Sequence, residues 1–283
     1  MNNYLIYNGN LFNESDELIK SDNRSFRYGD SIFETVRVIE GRICFFNDHF
    51  ERLTNSAEFL EFHFDLSKEE LLAQINILLE KNNINKGGKV RIQVFRNQGG
   101  MYVPTSYNTS FFIEAQPLDD NLFNFNPQGL HIDLYSDIKK PINLLSAHKT
   151  ANALLFVKAG LYKKTKHVDD CIILNDKGNL CEAISSNLFL KIHDSLYTPS
   201  VTQGCLPGIM RNQVIKLCRH YGVNLLEGAI HPKMLLEAEE IFFTNAIQGI
   251  TWVRSFSNKR YFNKTSRYLN EMLNKHLLEA VTR

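Results

Sequence analysis

The chain has 283 residues, enough for about two domains of ordinary size. Its 32 Lys+Arg against 31 Asp+Glu leave a net charge of +1, which argues against a dedicated nucleic-acid binder. With 43% apolar and 22% charged residues it can bury a sizeable core, so a largely disordered chain is excluded as well.

Strictly apolar runs are short, as at Ala153–Val157, and none could span a bilayer. The opening Met1-Asn2-Asn3-Tyr4 lacks the basic-then-apolar pattern of a signal peptide. Cys44, Cys171, Cys181, Cys205 and Cys218 are irregularly spaced with no CxxC pair, so they read as buried, reduced thiols. These features predict a cytoplasmic, two-lobed protein with no metal site and no membrane or nucleic-acid partner.

In the first lobe, Asn47 or Asp48 can cap a helix carrying Phe50, Leu53, Ala57 and Leu60 near helical spacing. Ser67-Lys68-Glu69-Glu70 is a capping-box pattern ahead of a second helix with Leu72, Ile75 and Leu79. Val90-Arg91-Ile92-Gln93-Val94 alternates apolar and polar residues and reads as a strand with Arg91 and Gln93 on one side. The stretch from Gln116 to Gly129 is rich in Asn and Asp with a proline near each end, which marks a linker. Its Leu and Phe residues predict that it packs against the protein. The resulting division is residues 1–117, a linker over 118–130, and a second domain over 131–283, with the linker crossing a cleft.

The second lobe opens with a strand at Leu130–Leu134, followed by a helix from about Ala147 to Lys163. Two β-rich runs, Cys171–Leu174 and Asn187–Ile192, follow, with a turn at Asn175-Asp176-Lys177-Gly178. A helix over Ile209–Tyr221, a buried strand over Glu240–Thr244 and a closing helix over residues 265–281 complete it. Strands and helices mix in both halves, so the fold class is α+β or α/β.

The chain has no Walker loop, no GxGxxG after a strand, no HExxH and no GxSxG. Four elements can carry chemistry. Gly204-Cys205-Leu206-Pro207-Gly208 leads straight into an amphipathic helix, whose first-turn N–H groups and dipole suit a phosphate. Asn245-Ala246-Ile247-Gln248-Gly249 is a small, polar turn after an apolar strand. Lys149, in Ser146-Ala147-His148-Lys149-Thr150-Ala151-Asn152, sits among small polar neighbours where an amine can form a Schiff base with a carbonyl. Glu182, followed by Ala183, Ser185, Ser186 and Asn187, could keep a pyridine nitrogen protonated. Singly, each also reads as ordinary structure: a helix start, a turn, a surface lysine, a loop acid.

Together they resemble the class IV aminotransferases, the fold type IV family of pyridoxal-phosphate enzymes. That family includes branched-chain aminotransferase, D-amino-acid aminotransferase and aminodeoxychorismate lyase. The likeness runs from Phe26-Arg27-Tyr28-Gly29-Asp30 to Trp252-Val253, with the motifs in family order. It implies a two-domain α+β fold with a smaller N-terminal α/β domain and a larger, β-rich cofactor-binding domain. It implies pyridoxal 5′-phosphate bound by Lys149 as the Schiff-base and proton-shuttling lysine, and Glu182 as the acid at the ring nitrogen. Arg52, in His49-Phe50-Glu51-Arg52-Leu53, matches the phosphate arginine. Leu206 matches the residue beneath the ring. Gly208, Ile209 and Met210 match the phosphate-binding helix start, and Asn187, Asn245 and Ala246 complete the cofactor site.

The substrate branch is mixed. Lys149-Thr150-Ala151-Asn152 has the K-x-x-N of the lyase and D-amino-acid branches. Yet Met101 stands near where those branches place an arginine, and an apolar residue there suits an uncharged side chain. Tyr28, Phe33 and Arg91 fall where the branched-chain branch builds its pocket, which Ala246 would adjoin. The tyrosine expected shortly after the lysine is missing, since Ala153 and Leu154 follow Asn152. The resemblance therefore implies a homodimeric transaminase for a small, apolar amino acid and a 2-oxo acid. The alternatives are aminodeoxychorismate lyase and a non-catalytic binding protein on the same fold.

Overall fold

A computed structural model describes residues 3–281. By internal contacts the chain divides into two units. The first runs up to Leu122 and takes in His148–Asn152, and the second holds Phe123–Ala147 and everything from Ala153 onward.

The first unit contains β1 (Tyr4–Tyr7), β2 (Asn10–Asn13), α1 (Arg24–Tyr28), β3 (Ser31–Ile39), β4 (Arg42–Ile43), α2 (Phe46–Phe59), α3 (Lys68–Lys81), β5 (Gly88–Arg96) and β6 (Thr109–Pro117). Its six strands form one antiparallel sheet in the order β2-β1-β6-β5-β3-β4. Leu53 and Ala57 of α2 and Leu71, Ile75 and Leu78 of α3 bury against Val36, Val90, Ile92 and Ile113 of that sheet. Each fully buried aliphatic side chain of this kind contributes about 1.5–3 kcal/mol. The predicted capping box forms: Ser67 Oγ accepts from the Glu70 amide, and the Glu70 carboxyl accepts from the Ser67 amide. The start of α2 differs from expectation. Phe45 occupies its cap position with φ +53 and gives no side-chain bond, while Asn47 and Asp48 lie inside the first turn.

The second unit contains β7 (Leu130–Lys140), α4 (Leu154–Lys166), β8 (Asp170–Asn175), β9 (Leu180–Ala183), β10 (Asn187–Ile192), β11 (Ser195–Pro199), α5 (Ile209–His220), β12 (Asn224–Gly228), α6 (Met234–Glu237), β13 (Glu240–Asn245), β14 (Gly249–Phe256), β15 (Lys259–Arg260) and α7 (Lys264–Val281). The sheet runs β12-β11-β10-β13-β14-β7-β8-β9, with β15 paired to β14. Ile172, Leu188, Leu190, Ile241, Phe243 and Val253 form its main core. Phe123 of the predicted linker is buried, and its backbone bonds to Asn270 and Asn274 of α7.

The helix expected from Ala147 to Lys163 is only half present. Leu144–Ala147 is a 3-10 turn, His148–Asn152 is irregular with a single β-bridge at Thr150, and α4 begins at Leu154. The segment bridges to β3: Phe33 N–H donates to the Lys149 carbonyl at 3.0 Å and Ala151 N–H to the Ser31 carbonyl at 2.9 Å. Pairing with a strand more than a hundred residues earlier overrides the helix propensity of Ala and Lys. By its contacts Lys149 groups with the first unit.

Among the described residues no helix is long and apolar enough to cross a membrane, and no group of three or more His, Cys, Asp or Glu side chains could hold a metal ion. All five cysteines are buried and free.

Candidate active site

In the first unit the candidate residues gather on β3 and its neighbours. Residues 33, 35 and 37 share one face of β3, and Phe33 lies opposite Gln93 of β5. The Lys149 Nζ sits 4.4 Å from the Phe33 ring centroid, and the Arg91 guanidinium 4.0 Å from it. Both cations are drawn to the ring's negative face. Arg91 is aimed by Gln93, whose Oε1 accepts from its Nη2 at 2.7 Å. The Gln93 amide donates in turn to Ser25 and Ser31.

Tyr28 and Met101 come together through Arg24. That guanidinium lies 5.1 Å from the Tyr28 ring centroid, and its Nη1 donates to the carbonyls of Gly99 and Met101 at 2.9 and 2.6 Å. Asp30 fixes Arg24 and Arg96 with one carboxylate oxygen, at 2.8 and 3.0 Å. The Met101 side chain is exposed, beside exposed Tyr102 and Val103.

The next β3 residue, Glu34, points to the other face and meets α2. Arg52 binds it as a fork, Nε to Oε1 at 2.7 Å and Nη2 to Oε2 at 2.6 Å. His49 Nδ1 approaches Oε2 at 2.7 Å. Burial pushes the Glu34 carboxyl up, but Arg52 and His49 outweigh it and hold the group down at about 2. Neither Glu34 nor His49 was singled out in the sequence, where nothing marks an acid inside an apolar strand as the partner of an arginine 18 residues on.

In the second unit Glu182 lies on β9, opposite Ile173 of β8, and is buried. Its Oε1 is ion-paired with Lys140 Nζ, and its Oε2 accepts from the Leu206 amide at 2.8 Å. Lys140 is buried too. Desolvation lowers the pKa of its ammonium, and the attraction of Glu182 more than restores it, so the net shift is upward. Sequence reasoning missed Lys140. Its one signal was a lysine at the end of a strand, directly before Pro141.

The turn ahead of α5 is built around the same groups. The Asn187 amide donates to the Leu206 carbonyl at 2.8 Å. A Cβ on Gly208 would stand 1.9 Å from Asn187 Oδ1, so a side chain there would force Asn187 to move. No side chain caps α5, which leaves its first-turn amides directed out of the helix end. Ile209 and Met210, the first two residues of α5, are buried. Asn245 is occupied locally: its Oδ1 accepts from the Ile247 and Gln248 amides at 3.0 and 2.8 Å, and its amide donates to Ser186. That closes the turn whose tip is Ala246.

Arg52, Phe33, Arg91, Tyr28, Met101 and Lys149 thus lie in the first unit, and Glu182, Asn187, Leu206, Gly208, Ile209, Met210, Asn245 and Ala246 in the second. Donors for a phosphate, an amine for a carbonyl and an anchored acid are all present, the set a phosphorylated pyridine aldehyde needs.

Comparison with known proteins agrees. The family model for amino-transferase class IV matches residues 31–256. A branched-chain-amino-acid aminotransferase of Salmonella typhimurium is 29% identical over 261 residues, covering 89% of this chain and 84% of the relative. An aminodeoxychorismate lyase of Bacillus subtilis is 27% identical over 255 residues, covering 87% and 84%. The crystal structure of the Escherichia coli branched-chain amino acid aminotransferase superposes with a TM-score of 0.88 at 24% identity, covering 96% of this chain and 94% of that one. The chain belongs to the class IV aminotransferase family, whose enzymes work with pyridoxal phosphate.

Proposed function

We propose that this protein is a transaminase that moves the amino group of a small, apolar amino acid to a 2-oxo acid, with Lys149 as the catalytic amine. The observation that carries the reading is Glu182, a buried acid gripped by the Lys140 ammonium on one oxygen and the Leu206 amide on the other. A carboxyl group fixed this firmly suits a partner for a ring N–H. The uncapped start of α5, with Gly208 packed against Asn187, fits the phosphate of the same cofactor.

Pyridoxal phosphate supplies a carbonyl carbon for the amine and a ring that takes up the electron pair of the breaking Cα–H bond. Lys149 Nζ would hold the carbonyl end, and its amine would carry the proton away from the substrate Cα. Phe33 beneath Nζ limits the amine's excursion and keeps water from one side of it. Glu182 accepts the ring N–H. Arg52 and the amides of Ile209 and Met210 would bind the phosphate, Leu206 would support the ring, and Asn187, Asn245 and Ala246 would shape the adjoining turns. Tyr28, Phe33, Arg91 and Met101 line the substrate side, where exposed Met101 offers an apolar surface and no charge. The protein acts as a homodimer in the cytoplasm. An exposed stripe of Leu154, Val157 and Leu161 on α4 and the five reduced thiols support these two assignments.

The test is product analysis. Purified protein loaded with cofactor is given leucine, isoleucine or valine with 2-oxoglutarate, and separately aminodeoxychorismate. Glutamate from the first mixture and no aminobenzoate from the second are expected, with activity lost in Lys149→Ala. Aminobenzoate and pyruvate as the only products would establish the lyase. Protein without a borohydride-trappable cofactor would be a non-catalytic relative.

A further inference from the structure

His148, the residue before Lys149, has no part in the chemistry described above, yet it makes two well-formed contacts with α2. Its Nδ1 lies 3.0 Å from Ser56 Oγ, and its ring stacks on Phe59 with centroids 4.1 Å apart and planes 13° apart. Ser56 and Phe59 follow Arg52 by four and seven residues, so all three project from one face of the helix. Burial lowers the pKa of this imidazole, in keeping with a neutral ring packed on an aromatic surface.

These contacts close a circuit. Glu34 of β3 holds Arg52 of α2. Four residues along α2, Ser56 holds His148. The next residue, Lys149, is hydrogen-bonded through its carbonyl to Phe33 N–H, and Phe33 adjoins Glu34 on β3. Strand, helix and lysine segment are therefore tied pairwise, and His148 forms the tie between helix and lysine. Without it the segment keeps its backbone bonds to β3 and the Asn152 bond to the Gly29 carbonyl, but loses the His148 contacts with α2, the helix that carries Arg52.

We propose that His148 is a positioning residue that sets the spacing between Lys149 and Arg52, so that one cofactor molecule reaches the amine and the phosphate arginine at once. This rests on the assignment of Lys149 and Arg52 to the two ends of pyridoxal phosphate.

The experiment compares pyridoxal phosphate with pyridoxal, which lacks the phosphate. The ratio of their affinities, measured by spectral titration and borohydride trapping, isolates the contribution of the phosphate end. His148→Ala should weaken pyridoxal phosphate about tenfold, the scale of one hydrogen bond plus one ring stack, and leave pyridoxal within about twofold. Unchanged pyridoxal binding also shows that the variant is folded. Ser56→Ala and His148→Phe, which remove only the hydrogen bond, should give smaller losses in the same direction. In an Arg52→Gln background His148→Ala should no longer alter the ratio. If both ligands weaken equally, or neither does, His148 does not set this spacing. If wild-type protein shows no preference for the phosphorylated ligand and no trapped adduct, the proposed function falls and this inference with it.

Discussion

At the scale of single residues, buried charges in each unit are arranged as matched sets. Lys140 and Glu182 are both shielded from water, and removing one would strand the other, an arrangement far more costly to break than an exposed pair. The Glu34–Arg52–His49 set follows the same logic and carries a pH consequence. Its carboxyl is held at about 2 in the folded protein, well below the ordinary value of 4.5. A depressed folded value means stability that is fully present above about pH 4.5 and lost as pH falls toward 2, worth about 3 kcal/mol in all. Glu34→Gln should therefore lower the melting temperature strongly at pH 7 and progressively less below pH 4.5. Thermal unfolding of both proteins across that range checks it. A penalty that stayed constant down to pH 2 would show that Glu34 acts through packing alone.

At the scale of elements, what could be read in advance was what depends on near neighbours. The capping box of α3 lies within four residues of sequence, and the Gly-Pro turn before α5 needs only the local chain, so both were visible. Lys149-Thr150-Ala151-Asn152 was expected in a helix, because nothing local announces a strand partner at Ser31–Phe33. Lys140 was missed for the same reason, its partner being 42 residues away. The motifs mark the candidate residues, and strand alternation already places Gln93 beside Arg91, but nothing local marks Glu34 as the partner of Arg52 or Lys140 as the partner of Glu182. The turn before α5 allows a direct test of such support. In Gly208→Ala the new Cβ would meet Asn187 Oδ1 at 1.9 Å, so Asn187 must turn and release the Leu206 carbonyl. That should cost about 1–3 kcal/mol, the usual penalty for overpacking, and weaken cofactor binding through Leu206 and Glu182. Asn187→Ala in the same chain removes the obstruction, so the double variant should be more stable than the sum of the singles predicts. Strict additivity in denaturant melts would sink the explanation.

At the scale of the whole molecule, the apolar surface left uncovered on α4 needs an explanation. One side of this helix packs inward: Ala159 is buried with Tyr135, Cys171 and Ile173, and Leu155, Phe156 and Tyr162 pack against them. The other side presents Leu154, Val157 and Leu161, exposed by 79%, 54% and 55% and spaced by three and four residues, so they form one stripe. Leu144 and Leu145, a few residues upstream, are exposed too, by 77% and 50%. Scattered single apolar residues on a surface require nothing, but a helical stripe of this kind marks an association surface. In the proposed homodimer a second copy of the chain would cover it, with the stripe meeting itself about a twofold axis. Val157→Lys places a charge in that seam and leaves the buried side of α4 untouched. It should convert a dimer to a monomer in light scattering at micromolar protein while the far-ultraviolet spectrum stays the same. Val157→Leu, which keeps the seam apolar, should remain dimeric. If Val157→Lys is still a dimer, α4 is not the seam and the stripe is covered by something else. If wild type is itself a monomer at those concentrations, the homodimer assignment fails outright.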